Sequence, residues 1–502
     1  MFDKGDRVEH SSRGEGVVLK RLVRGVVRVL FDDEPGLPRT LHGSVLGLVG
    51  GPPPVQGSGV EAEQSSLGQL SETGLGETYP HSIAVAEESA PKPPRVRVPL
   101  VKISDQAAAL HREHARVLPA ADAWQTIEAL RLGVVPSRGV QAYTVARNDE
   151  LNNIRALLND DHGCRVLWGE YGAGKTHLLE AAEQLALEQG MATARITLDP
   201  RENALHHPLR LYRRIADSIR TADQVALGFE GVLQRLVDSP DHIQPDGARS
   251  SRFLTPYLWA LRHGDPESIG WLRDYVRGDN VDASMVNAVL AKIGWRGQRV
   301  LHMSDYRTYG RMYVHLVGTL ASWCADAGAK GLVLLFDEVE RVDALRPQDR
   351  TYAFEVLKHY AAVTMNLDDL AFDPESLYKG GQLVHREIPL RFCEHQPLVS
   401  IFALTPLAEV EEQFAGVTEN TATDMRLSPF APGLLGELVD RIAALYEHAY
   451  SGYQVADGVR ENACHEIADA QDEGHDSFRD AVRAAVALFD RERLLSSGRW
   501  NP

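Results

Sequence analysis

Residues 169 to 176, Gly169-Glu170-Tyr171-Gly172-Ala173-Gly174-Lys175-Thr176, combine types and spacing that can hold a triphosphate. The order fits G-x-x-x-x-G-K-[ST], in which glycines let backbone amides turn inward around phosphate oxygens. Lys175 then reaches the β- and γ-phosphates, and Thr176 offers a hydroxyl to Mg²⁺. The alternative is a flexible glycine loop, but an apolar run precedes this one and a helical pattern follows it, as phosphate binding requires. By position His177 joins the nucleotide-contacting set, although its type suits packing or hydrogen bonding in the helix better than catalysis. No metal-ligand spacing surrounds it.

A second half of such a site needs an apolar strand ending in acid, and Gly331-Leu332-Val333-Leu334-Leu335-Phe336-Asp337-Glu338 supplies one. Asp337 at the strand's end is expected in the Mg²⁺ shell, and Glu338 is expected to polarise the attacking water. A core strand with an acidic cap would look the same in isolation; the phosphate loop gives the pair its meaning. Glu338 predicts hydrolysis beyond mere binding. Thr405, which closes the apolar run 398–404, is placed to touch the γ-phosphate or the water, or else simply opens the turn at Pro406. Arg479 stands either as a phosphate sensor bending back over the nucleotide or as a solvated arginine.

The elements that would position these residues alternate. Strands are expected at 164–168, 192–198, 331–336, 398–404 and 425–427, and helices at 105–132, 175–189, 209–222, 309–327 and 348–363. The reading is an α/β fold with a parallel sheet. Residues 226–300 break the rhythm as a helical insertion. Apolar stripes over 434–449 and 478–489, the second begun by an Asp476/Ser477 cap, read as a helical lid.

Five hundred and two residues allow several domains. Residues 1–50 show short apolar runs between turns, the pattern of a small β-barrel, with eight basic against seven acidic residues. Residues 51–98 are rich in Gly, Pro and Ser, and from 51 to 91 they hold six Glu and no Lys or Arg, an acidic flexible linker. Then follow a helical lead-in (99–143), a phosphate-binding core (144–430) and the lid (431–502).

A net charge of −17 argues against a surface that coats nucleic acid, so any DNA contact must be local. Cys164, Cys324, Cys393 and Cys464 lie at least 69 residues apart, which excludes a zinc knuckle or CxxC pair and suits reduced thiols. No apolar run approaches the ~18 residues of a membrane span. The charged start MFDKGDRVEH has no signal-peptide core, so a cytoplasmic location is expected.

The stretch Ile127-Glu128-Ala129-Leu130-Arg131-Leu132-Gly133-Val134-Val135-Pro136, then Val145-Ala146-Arg147, the loop 169–176 and the acidic strand together resemble the BREX-system ATP-binding proteins. These are AAA+-type ATPases of bacterial phage-defence islands, from the origin-recognition branch. The resemblance implies ATP and Mg²⁺ as ligands, Thr405 as sensor 1, Arg479 as sensor 2, and a homo-oligomer. It also implies work with DNA and with other defence subunits, such as a helicase, methyltransferase or phosphatase-like component. The function it implies is a DNA- or protein-remodelling switch or motor; the alternative is a nucleotide-regulated scaffold that recruits a helicase, methyltransferase or polymerase through the N-terminal module. Two features depart from the family. Ala146 stands where relatives carry Gly, and 406–424 holds no arginine to serve a neighbouring subunit, leaving Arg391 and Arg426 as weak candidates. Residues 1–50 separately resemble the Tudor-like or SH3-like modules of some helicases, which implies docking of a protein or of nucleic acid.

Overall fold

The computed structural model describes residues 7–10, 14–21, 26–31, 39–42, 46–48, 104–223, 228–306, 309–367, 388–407, 410–411, 424–428, 432–472 and 478–496. The linker at 51–98 and the Asp476/Ser477 cap lie outside them.

The chain forms two compact units, 1–93 and 94–502. The first contains an antiparallel sheet of β1 (Arg7–His10), β2 (Gly14–Arg21), β3 (Val26–Phe31), β4 (Arg39–His42) and β5 (Leu46–Leu48), in the order β4-β3-β2-β1-β5. A register shift between Val18 and Lys20 gives β2 the bulge that bends such strands.

The second unit is built on a parallel sheet: β6 (Gly163–Trp168), β7 (Ala192–Thr197), β8 (Leu332–Asp337), β9 (Leu398–Leu404) and β10 (Asp424–Arg426), ordered β10-β6-β9-β8-β7. This is the expected α/β arrangement with a parallel sheet. Every residue of β8 and β9 is buried, which is why their sequences are unbroken apolar runs and not alternating ones. The register aligns Trp168 with Leu404 and Thr197 with Asp337, so the strands end along one edge. The glycine-rich loop leaves β6 there, Asp337 ends β8 there, and β9 between them leads directly into Thr405.

Helices α1 (Asp105–Val117) and α2 (Ala120–Arg131) precede the sheet. The single helix expected over 105–132 is thus two, because Pro119 disfavours the helical conformation of the residue before it and Leu118 turns extended. Then come α3 (Asn148–Asn159), α4 (Lys175–Glu188) and α5 (Pro208–Ser218). The last of these stops short of the expected 222 because Arg220 swings out to pair with Thr193 of β7. The insertion supplies α6 (Gly228–Leu236), α7 (Pro240–Ile243), α8 (Thr255–His263), α9 (Pro266–Arg277) and α10 (Ala283–Lys292). Its Phe229, Leu258 and Tyr275 share one apolar core with Leu334 and Phe336 of the sheet, together with α11 (Gly310–Asp326) and α12 (Pro347–Thr364).

Three terminal helices, Leu435–Ala449, Asp457–Asp472 and Phe478–Ser496, make a second core with α1 and α2. Ile127 and Leu130 from the lead-in pack with Leu438, Ile442 and Phe489 from the lid. The middle helix is sparsely apolar, and its sequence shows no clear stripe. Charge reinforces the union: Arg131 grips Asp490 through two hydrogen bonds of 2.6 and 2.8 Å, and His111 Nδ1 lies 2.7 Å from Asp440 Oδ2.

Candidate nucleotide site

Gly172 and Gly174 take φ of +83° and +90°, values that a side chain resists, so the loop depends on glycine at both. The loop is also clamped from outside. Arg147 donates to the Ala173 carbonyl at 2.9 Å and the Ser428 carbonyl at 3.1 Å, and pairs with Glu150 at 2.9 Å. Ala146 before it has φ +51°, the left-handed conformation glycine would take. The turn persists despite the exchange, with local strain of about 1 kcal/mol.

Opposite the loop, Asp337 is 4% exposed and its Oδ1 accepts the Glu338 backbone N–H at 3.1 Å. Burial pushes its carboxyl above the usual range, while the nearby Arg195 guanidinium and the Thr176 hydroxyl draw it back. Arg195 Nη2 stands 3.5 Å from Asp337 and also pairs with buried Glu180. A hydroxyl and a carboxylate side by side are hard oxygen donors suited to Mg²⁺.

Glu338 sits at φ +61°, and its Oε2 accepts Arg341 Nε at 2.8 Å. Lys175 Nζ donates to the carbonyls of Gly169 (2.8 Å) and Glu170 (3.3 Å) and to Thr405 Oγ1 (3.0 Å). Thr405 donates in turn to Glu340 Oε1 at 2.7 Å. Lys175, Glu338 and Glu340 border a cavity of about 300 Å³ that is also lined by Leu130, Gly133, Val134 and Val135 and by Arg479, Val482 and Arg483 of the last helix.

Residues 118–244 match the family of BREX system ATP-binding proteins BrxC/D. The match takes in α2, the Val145-Ala146-Arg147 turn, the phosphate loop and β7. Among solved structures, the Aeropyrum pernix ORC1 protein in complex with DNA is similar at 12% identity and a TM-score of 0.29, over 72% of this chain and 62% of that one. The chain therefore spans less than two thirds of the length of that protein. No curated protein matches it.

The structure brings Lys175, Thr176, Glu338 and Arg479 to the lining of one cavity from three separate stretches of sequence, and ties Asp337 and Thr405 to it through Thr176 and Lys175. Tyr171 is 83% exposed at the loop's tip, and the Glu170 side chain also faces solvent. His177 is buried, packed edge-on against Tyr143 with Nε2 2.8 Å from Thr144 Oγ1. Burial and the neighbouring Arg147 hold it down to about 3. Arg426 pairs with Glu411 at 3.1 Å and lies over the Trp168 ring, while Arg391 donates to the Glu394 carbonyl. Arg147, Glu340, Arg341 and the wall at 133–135 had no assigned place in the site by sequence. The wall and Arg147 had a signal, the Leu-Gly-Val-Val-Pro and Val-Ala-Arg motifs, whereas Glu340 and Arg341 had none.

Among the described residues no helix is long and apolar enough to cross a membrane, and the four cysteines are unpaired.

Proposed function

We propose that the chain binds ATP with Mg²⁺ and hydrolyses it to ADP and phosphate, as the switch of a BREX-type phage-defence assembly. The observation that carries the reading is the convergence of Lys175, Thr176 and Glu338 on one cavity, with Asp337 hydrogen-bonded to Thr176, beside a loop whose positive φ at two positions calls for glycine. In it the amides of 172–176 and Lys175 cradle the phosphates, and the α4 dipole adds positive potential. Thr176 and Asp337 would hold Mg²⁺, which would supply charge neutralisation to the phosphates. Glu338 takes a proton from the attacking water once its carboxylate leaves Arg341, and Thr405 orients the water or the γ-phosphate. The apolar wall of Leu130, Val134, Val135 and Val482 suits the flat adenine ring, and Arg479 reaches the phosphates from the lid.

The nucleotide-regulated scaffold is supported by the same site's Glu338, whose carboxylate is held by Arg341. A homo-oligomer would bring a neighbour's arginine to this cavity, and DNA and other defence subunits are the partners the reading carries; the N-terminal sheet is the candidate docking module.

Nucleotide titration and phosphate release test this. Lys175→Ala should lose ATP binding by at least about 100-fold. Glu338→Gln should keep binding and lose turnover by about 100-fold or more. Equal turnover in wild type and Glu338→Gln would favour the scaffold, and unchanged binding by Lys175→Ala would end the nucleotide reading.

A further inference from the structure

Glu340 carries no motif signal, yet its carboxylate forms an ion pair with the phosphate-binding lysine. It lies two residues past Glu338, in the 3-10 turn Val339–Ala344. Its Oε1 accepts the Thr405 hydroxyl at 2.7 Å and is 3.9 Å from Lys175 Nζ. Its Oε2 is buried and has no hydrogen-bond partner among the described residues. Lys175 meanwhile donates to Thr405 and to two carbonyls of its own loop. The ammonium that should hold a triphosphate is thus already held.

We infer that Glu340 is a positioning residue that keeps Thr405 and Lys175 in a resting arrangement, which a triphosphate must displace, and so sets nucleotide affinity and the rate of product release. The inference rests on the ATP reading above. Two pieces of chemistry lead to it. A hydroxyl has one proton to donate, and here Thr405 gives it to Glu340; while that bond stands, Thr405 offers a phosphate only its lone pairs. A carboxylate beside the same ammonium is also a like charge to the incoming phosphate, repelling it in a partly buried site where water screens poorly. The unpartnered Oε2 limits what holds Glu340 to one hydrogen bond from Thr405 and the longer ion pair with Lys175, and the incoming phosphate replaces the second.

Glu340→Gln tests this, since the amide keeps the side chain's shape and an oxygen for Thr405 while removing the charge. Calorimetric titration of the full chain with Mg-ATP and with Mg-ADP, alongside steady-state turnover, should give affinities about tenfold tighter for both, with KM falling and kcat falling as release slows. Glu340→Asp, which keeps the charge, should stay within about threefold of wild type. Normal wild-type binding with unchanged or weaker affinity in Glu340→Gln would overturn the inference alone. Wild-type affinity equal to that of Lys175→Ala would overturn the ATP reading, and this inference with it.

Discussion

The sheet core and the helical body of lead-in plus lid are stabilised by different means. The core is two apolar layers, one on each face of the sheet, between which β8 and β9 are wholly buried, with buried imidazoles among the surrounding helices. The helical body joins two distant stretches of chain through a smaller apolar core laced with ion pairs: Arg131 with Asp490, Arg112 with Glu447 at 3.0 Å, and Arg460 with Asp440 and Glu447. The cavity lies where the two meet. Its phosphate end therefore inherits the rigidity of a close-packed sheet, and its outer wall the adjustability of a charge-tied helix assembly.

Acid should separate the two regions most strongly. Burial holds His177 down to about 3 and both His315 and His359 down to about 4, against an ordinary 6.5. Between those limits the unfolded chain binds protons that the folded chain refuses, so stability is full above about pH 6.5 and falls as pH drops towards 4. Urea denaturation at several pH values checks this; a flat profile would mean the imidazoles are not buried neutral. The loss should reach the core through His315 of α11 and His359 of α12, while His177, packed on Tyr143, carries it to the junction with the helical body.

The helical body should respond instead to the loss of one carboxylate. Asp490→Ala leaves Arg131 without its two-pronged partner and should cost about 2 kcal/mol in urea denaturation. It should also weaken nucleotide binding, because α2 runs directly into the wall at 133–135. An unchanged affinity would show that the wall holds its place without the lid.

The smallest effect belongs to the junction. Ala146→Gly relieves a left-handed alanine but adds freedom to the unfolded chain, for a net gain of about 0.5 kcal/mol. A loss of stability there would mean that the alanine methyl packs better than its backbone angle suggests.

What the sequence made legible follows the same division. The phosphate loop is readable because its geometry restricts residue type: positive φ at 172 and 174 demands glycine, and one ammonium demands Lys175. The sheet is readable because strands covered on both faces must be apolar throughout. Glu340 and Arg341 were not, because a charged residue in a short turn looks like solvated surface until its neighbours are known. The pairing of α1 and α2 with the terminal helices was hidden for another reason: each stripe announces that it needs a cover, and none says which. Pro119 was a signal in plain view, and an apolar periodicity running across it masked the break.

That pairing also dictates an order of assembly. Helices α1 and α2 leave the ribosome about 300 residues before the segment that covers them, so their greasy side must wait, exposed or shielded by other proteins, while the sheet forms. The outer rim of the cavity is then the last part of this unit to be completed. A chain truncated ahead of the final helix would keep its glycine loop and lose the rim, and with it the cover for the earliest helices of the unit.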